Sequence, residues 1–214
     1  MKLDVCFTLS PRGTTIPADH GYAVFSAISR ILPEWHEKED LGILPICGVQ
    51  TGNRQMFITE VSRLSVRIDA DRIAEILPLA GKRLGLGRNY LQVGVPTVHP
   101  LTSASSLRSR LVTIKGFPQE TEFREAVRRQ LNLLQIAPET EIVIGKRRTL
   151  AVHDQPIVGF EVFLTNLSEK DSVSVQENGI GGRRKMGCGL FLPTSSHTLS
   201  DVDRMEGNNG KKSE

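Results

Sequence analysis

Near the N-terminus, Leu3, Val5, Phe7 and Leu9 alternate with Lys2, Asp4, Cys6 and Thr8, the period-two pattern of a strand with one buried face. The period then lengthens. Val24, Ile28, Ile31 and Leu32 share a face at helical spacing, with Pro17 suited to the first turn and Pro33 ending or bending the helix. Across "ILPICGVQTGNRQMFITEV" and "RLSVRI" the pattern predicts two strands, with a turn at Thr51-Gly52-Asn53 and renewed alternation at Leu64, Val66 and Ile68. Asp69 is placed to cap a helix carrying Ile73, Ile76, Leu77 and Ala80, and "YLQVGVPTV" returns as a strand. The order is β-α-β-β-α-β.

After the polar connector "PLTSASS" the pattern restarts. A strand, "LRSRLVTIKG", leads through Pro118 into a helix from Thr121 to Leu134 that buries Phe123, Val127, Leu131 and Leu134. Two strands follow, "TEIVIGKRRTLAV" and "IVGFEVFL", around a turn at Asp154 to Pro156. A short helix slot from Ser168 to Asn178, a glycine-rich loop and the strand "CGLFLP" complete a second β-α-β-β-α-β unit. The expected fold is α+β: tandem ferredoxin-like (RRM-like) units with antiparallel sheets. The expected domains are 1–99 and 107–197, joined by a linker at 100–106 and followed by a disordered polar tail at 198–214.

Composition narrows the class without deciding it. A chain of 214 residues, 39% hydrophobic and 24% charged, has room for one large domain or two of about 100 residues each. The net charge of +3 is a weak general attraction to polyanions, so nucleic-acid binding must rest on where the cations sit. Cys6, Cys47 and Cys188 are far apart and form no CxxC pair, which reads as reduced thiols in a cytoplasmic protein and gives neither a disulfide frame nor a zinc site. No stretch approaches the length that spans a bilayer.

The stretch "ENGIGGRRKMGCGLF" concentrates five glycines around Arg183, Arg184 and Lys185. Gly179, Gly181, Gly182 and Gly187 would let backbone N–H groups converge on an anion, and three cations exceed what one phosphate needs, which points to a polyphosphate backbone. Neither common nucleotide motif fits. Lys185 is followed by Met186 where a phosphate-binding loop needs Ser or Thr, and a dinucleotide fingerprint begun at Gly179 meets Arg184 where it needs a third small residue. A glycine-rich hairpin turn with solvated charges is an equal alternative on composition alone.

Tandem ferredoxin-like units with a basic glycine-rich loop before the last strand resemble the RAMP superfamily of CRISPR-associated proteins, and within it the repeat-RNA processing endoribonucleases. "IPADHGYAVFSAISRILPEWHEKEDLGILPI", residues 16–46, is similar to that family's first helix and following loop. "RIAEILPLAGKRL" and "GIGGRRKMGCG" resemble the subgroup of myxobacterial and cyanobacterial loci. The resemblance covers residues 1–193. It implies cleavage of CRISPR precursor RNA within its repeats, without metal or cofactor, by attack of the substrate's 2′-hydroxyl to leave a 2′,3′-cyclic phosphate. It also implies repeat RNA, mature guide RNA and other interference-complex subunits as partners. A non-catalytic guide-RNA-binding RAMP subunit and a basic adaptor that binds no RNA remain as alternatives.

Such chemistry calls for a proton-transfer group, usually histidine. His20, His36, His99, His153 and His197 are available. The family's catalytic histidine lies in or just after the first helix, which selects His36, in "WHEKEDLGI", and His20, beside Tyr22. On an unbroken helix their spacing would set them about 24 Å apart, too far to share one phosphate. Relatives of the subgroup often carry a histidine where this chain has Leu44, and a catalytic role for that histidine would make this chain impaired or binding-only. Further RNA contacts are expected from Arg124 and Arg128 on one helix face and from Lys146, Arg147 and Arg148, whose run suits a bulge or hairpin tip. Lys82, Arg83 and Arg88 bracket a glycine-rich turn. With aromatics at 5%, recognition should depend on phosphates and RNA shape more than on stacking. A side chain at Gly182 is expected to crowd the anion.

Overall fold

The computed structural model describes residues 1–38, 40–117, 119–153 and 155–194. The expected disordered tail, His197, Pro118 and Asp154 lie outside the described residues. The chain divides into two compact units, one formed by Met1–Leu101, Thr149–Ile157 and Arg183–Cys188, the other by Thr102–Arg148, Val158–Gly182 and the described residues from Gly189 to Thr194.

In the first unit, strands β1 (Lys2–Ser10) and β2 (Thr15–Pro17) precede helix α1 (Gly21–Ser29). Strands β3 (Gly42–Leu44), β4 (Val49–Gly52), β5 (Gln55–Phe57), β6 (Arg63–Asp69), β7 (Arg83–Leu86) and β8 (Asn89–Pro100) follow. The main sheet runs β3-β6-β1-β8-β7, while β2, β5 and β4 form a separate three-stranded sheet. Counting β1, β3, β6 and β8 as the four strands of the motif, the first sits between the third and fourth, as in ferredoxin-like folds. Antiparallel register sets Leu3 against Ile68, Val5 against Val66 and Phe7 against Leu64, so the predicted alternations bury one shared face. On the other face Asp4 lies opposite Arg67, whose Nε and one terminal nitrogen each donate to the carboxylate at 2.8 Å. Arg67 is 1% exposed, so this bidentate pair is the means by which a buried cation is tolerated.

Prolines account for three departures from expectation. Pro17 ends β2 rather than opening the helix. Pro33 opens a separate 3-10 turn, Pro33–His36, after α1 has stopped at Ser29. The second helix is two 3-10 turns, Ala70–Glu75 and Leu77–Leu79. Pro78 lacks the N–H that a continuing α-helix would need, and Asp69 makes no side-chain cap. The region read as two strands holds four, because β4 and β5 lie outside the main sheet, where β5 pairs with β2 on one side and β4 on the other.

The second unit contains β9 (Leu107–Val112), α2 (Glu120–Leu133), α3 (Glu169–Asn178), β12 (Leu192–Pro193) and, from Val158 onward, β11 (Gln155–Thr165), whose first residues belong to the first unit. Strand β10 (Glu141–Val152) begins there and ends in the first unit. Sheet order β10-β11-β9-β12 repeats the ferredoxin-like pattern. Helix α2 buries Phe123, Ala126, Val127 and Leu131, and Leu134 lies just beyond its end, half-buried. The short helix slot is real: Ser168 Oγ accepts from Asp171 N–H at 3.1 Å, and Glu169 and Asp171 place negative charge on the first turn. The closing strand is only two residues long, pairing with Leu107 and Arg108.

Candidate active site

Helix α1 presents Tyr22, Phe25, Ser26 and Ser29 along one stripe at i, i+3, i+4 and i+7 spacing, on the side opposite Val24 and Ile28. In the first unit this stripe forms one wall of an open cleft of about 310 Å³, completed by Arg30, His36, Val152, His153 and Met186. Gly21 opens the helix because a Cβ there would come within 2.2 Å of the Met186 carbonyl oxygen, so only glycine permits the approach. Arg30 reaches back to Ser26 Oγ at 3.3 Å. The Ser29 hydroxyl is buried and has no hydrogen-bond partner among the described residues.

His36 is exposed and its ring stacks on Phe25, with centroids 5.8 Å apart and planes at 23°. The chain folds back after α1, so the unbroken helix behind the 24 Å separation does not exist. His20 is nonetheless differently placed. It is 4% exposed, its Nδ1 lies 3.0 Å from the Pro17 carbonyl and its Nε2 accepts from Ile46 N–H at 3.0 Å. Those two bonds require the neutral Nδ1–H tautomer. His153, noted in the sequence only as one of five, stands instead on the cleft, its Nε2 2.8 Å from the Tyr22 hydroxyl. His99 lies on β8, away from the cleft lining, against Thr97 Oγ1 at 3.0 Å. Leu44 is buried in β3.

In the glycine loop the expected anion-binding amides point inward. The N–H groups of Gly179, Gly181, Gly182 and Gly187 donate to Val175 O, Gln130 Oε1, Thr113 O and Arg184 O, respectively. These glycines shape turns, and the backbone grip on phosphate is corrected accordingly. At Gly182 a Cβ would meet no protein atom within 4 Å, so the fold itself leaves room for a side chain there. Lys185 serves the cleft: its Nζ donates to the carbonyls of His36 at 2.6 Å and Trp35 at 3.3 Å and lies 5.3 Å from the Phe25 ring centroid. Trp35 is fully buried, so the 3-10 turn carrying His36 is anchored by an apolar side chain on one side and an ammonium group on the other. Arg183 is exposed with φ +62°, and Arg184 is half-buried in the 3-10 turn Arg184–Met186.

The other expected cations separate. Arg124 donates to Ile142 O at 2.6 Å and pairs with Glu120 at 3.6 Å, and Arg128 donates to Thr140 O. Both hold α2 to the start of β10, because a helix lying beside a strand end meets unpaired carbonyls that an arginine can satisfy. Lys146, Arg147 and Arg148 lie inside β10 rather than at a tip. Arg148 and Arg108 both reach Glu161, which is 3% exposed and needs the two positive partners. Lys146 and Arg147 are exposed and have no side-chain partner among the described residues.

The chain thus carries two ferredoxin-like units in sequence and a basic glycine-rich loop. The family profile described as Cas6 Crispr matches residues 3–196. The CRISPR-associated endonuclease Cas6 of Myxococcus xanthus (strain DK1622) is 38% identical over 182 residues, covering 85% of this chain and 78% of that protein. This chain belongs to the Cas6 family. Among solved structures, a CRISPR associated protein Cas6 matches with a TM-score of 0.66 at 13% identity, over 91% of this chain and 100% of its own. A structure described as an RAMP protein binding different RNA substrates matches with a TM-score of 0.64 at 16% identity, over 90% and 100%. At such identities these two likenesses concern the fold.

Proposed function

We propose that this chain is an endoribonuclease that cuts CRISPR precursor RNA within its repeats to give guide RNAs, and that it then stays on its product in an interference complex. In this reading the RNA's own 2′-hydroxyl attacks the adjacent phosphorus, leaving a 2′,3′-cyclic phosphate and a 5′-hydroxyl, and no metal ion takes part. The position of His36 carries it: an exposed imidazole on a cleft that also offers the exposed Arg30 guanidinium to a phosphate. Histidine is the side chain that changes charge in the physiological pH range, which suits proton transfer to or from a ribose oxygen. The name and 38% identity of the Myxococcus relative support the same class of activity. His20 has a structural part in this reading, since both its ring nitrogens already hold backbone groups.

A guide-RNA-binding subunit without cleavage would share this fold, and Leu44 is the residue in its favour. Single-turnover cleavage of repeat RNA in excess EDTA separates the two. The expected outcome is cleavage to a cyclic phosphate and a 5′-hydroxyl, slowed about 10² to 10⁴ fold by His36→Ala with little change in RNA affinity. A 3′-hydroxyl product, complete dependence on magnesium, or tight binding with no cleavage would each remove the proposal.

A further inference from the structure

We infer that His153 is a second proton-transfer residue of the cleft, acting with His36 on the same scissile phosphate and held in place by Tyr22. The inference rests on the endoribonuclease reading. His153 follows the last residue of β10 with φ +47°, in the left-handed region where histidine is tolerated better than most side chains. The end of β10 is fixed against the start of α1: Ala151 N–H donates to Asp19 Oδ2 at 2.8 Å, and Leu150 packs where Gly21 leaves room. Tyr22 then meets the imidazole edge, with its hydroxyl 2.8 Å from Nε2, ring centroids 4.8 Å apart and planes at 60°. An exposed ring in a turn adds nothing to the core. This one is nevertheless pinned by an aromatic hydroxyl and faces the cleft that His36 also lines.

The reaction needs two proton transfers. The 2′-O–H bond breaks and its proton passes to one imidazole as the 2′-oxygen bonds to phosphorus. The P–O5′ bond then breaks, and the other, protonated imidazole gives its proton to the 5′-oxygen. Two histidines bordering one cleft supply both roles, and net protonation is unchanged over the cycle. Among the described residues, the titratable or charged groups around His153 and His36 include Tyr22 in α1 and Asp19 just before it, Arg30 beyond its end, Glu34 and Glu37 on the turn that carries His36, and Lys185 from the glycine loop.

The test compares wild type, His153→Asn and His36→Asn in single-turnover cleavage at saturating enzyme. One substrate is normal repeat RNA, and the other carries sulfur in place of the bridging 5′-oxygen at the cut site. Asparagine tolerates the positive φ and can still hydrogen-bond Tyr22, but it transfers no proton. His153→Gln gives the same reading if His153→Asn melts early. On normal RNA the expected loss is about 10² to 10⁴ fold for each variant. A thiolate leaves without protonation, so sulfur should restore the variant lacking the acid and leave the other slow. Wild-type rates for His153→Asn, or restoration of both variants or of neither, would overturn the inference. A slow His36→Asn beside a normal His153→Asn would leave the endoribonuclease reading standing, whereas normal cleavage by both would end that reading as well.

Discussion

His20 and His36 belong to one stretch of chain and have opposite surroundings. At His20 the Pro17 carbonyl and the Ile46 N–H take both ring nitrogens inside the core, and at His36 the ring lies on Phe25 and faces solvent. Removing the first therefore leaves a buried N–H and a half-buried carbonyl without their side-chain partner, so His20→Ala should lower stability by about 1–3 kcal/mol and leave cleavage intact below its melting point. Urea melts paired with single-turnover rates check this. Full stability with lost cleavage would return His20 to the catalytic role. The resemblance to the family's first helix made His36 legible in the sequence. His153 was not, because its partner Tyr22 is 131 residues away and nothing in "VHDQP" says which helix that turn meets.

At the scale of elements, the glycine loop was legible as a loop and not as a hydrogen-bonding arrangement. Composition shows how many amides could converge but not which carbonyls claim them, and Thr113 and Gln130 claim two here. The result is a sharp contrast between neighbours. Gly181 has φ +78° and a Cβ would lie 2.5 Å from the Thr113 carbonyl oxygen, whereas at Gly182 there is open space. Gly181→Val should cost on the order of 1–3 kcal/mol or more through backbone strain, and Gly182→Val should melt like wild type. Equal melting temperatures for the two variants would show that the loop adapts. Strand alternation predicted β1, β6 and the buried face of α2 well, because sheet burial and helix burial both leave a period in the sequence. It overextended α1 and gave a helix where Pro78 permits only 3-10 turns, since apolar spacing alone does not register a missing donor.

Across the whole molecule a net charge of +3 matters less than which cations are committed. Arg124, Arg128, Arg148 and Lys185 are tied to carbonyls or to Glu161, while Arg183, Lys146 and Arg147 are exposed without a side-chain partner among the described residues. RNA affinity should fall as salt rises. Replacing Arg183 or Arg147 by alanine should each lessen the log–log slope by about 0.7 if each side chain neutralises one phosphate of a single strand. Arg148→Ala should act on stability instead, because it takes a partner from buried Glu161. Salt titrations and melts of the three variants separate these effects, and a slope unchanged by Arg183→Ala and Arg147→Ala would dismiss both as phosphate contacts.

The first unit is assembled from three separated stretches, the last of which is Arg183–Cys188. Polypeptides emerge from the ribosome N-terminus first and domains commonly fold as they emerge. Residues 1–101 can begin to fold early, but the ammonium of Lys185 that supports the His36 turn is synthesised 149 residues later. A nascent chain stalled before Arg183 would thus carry His36 without that support and the cleft without Met186. The order of synthesis itself delays completion of the cleft until Arg183–Cys188 has been made.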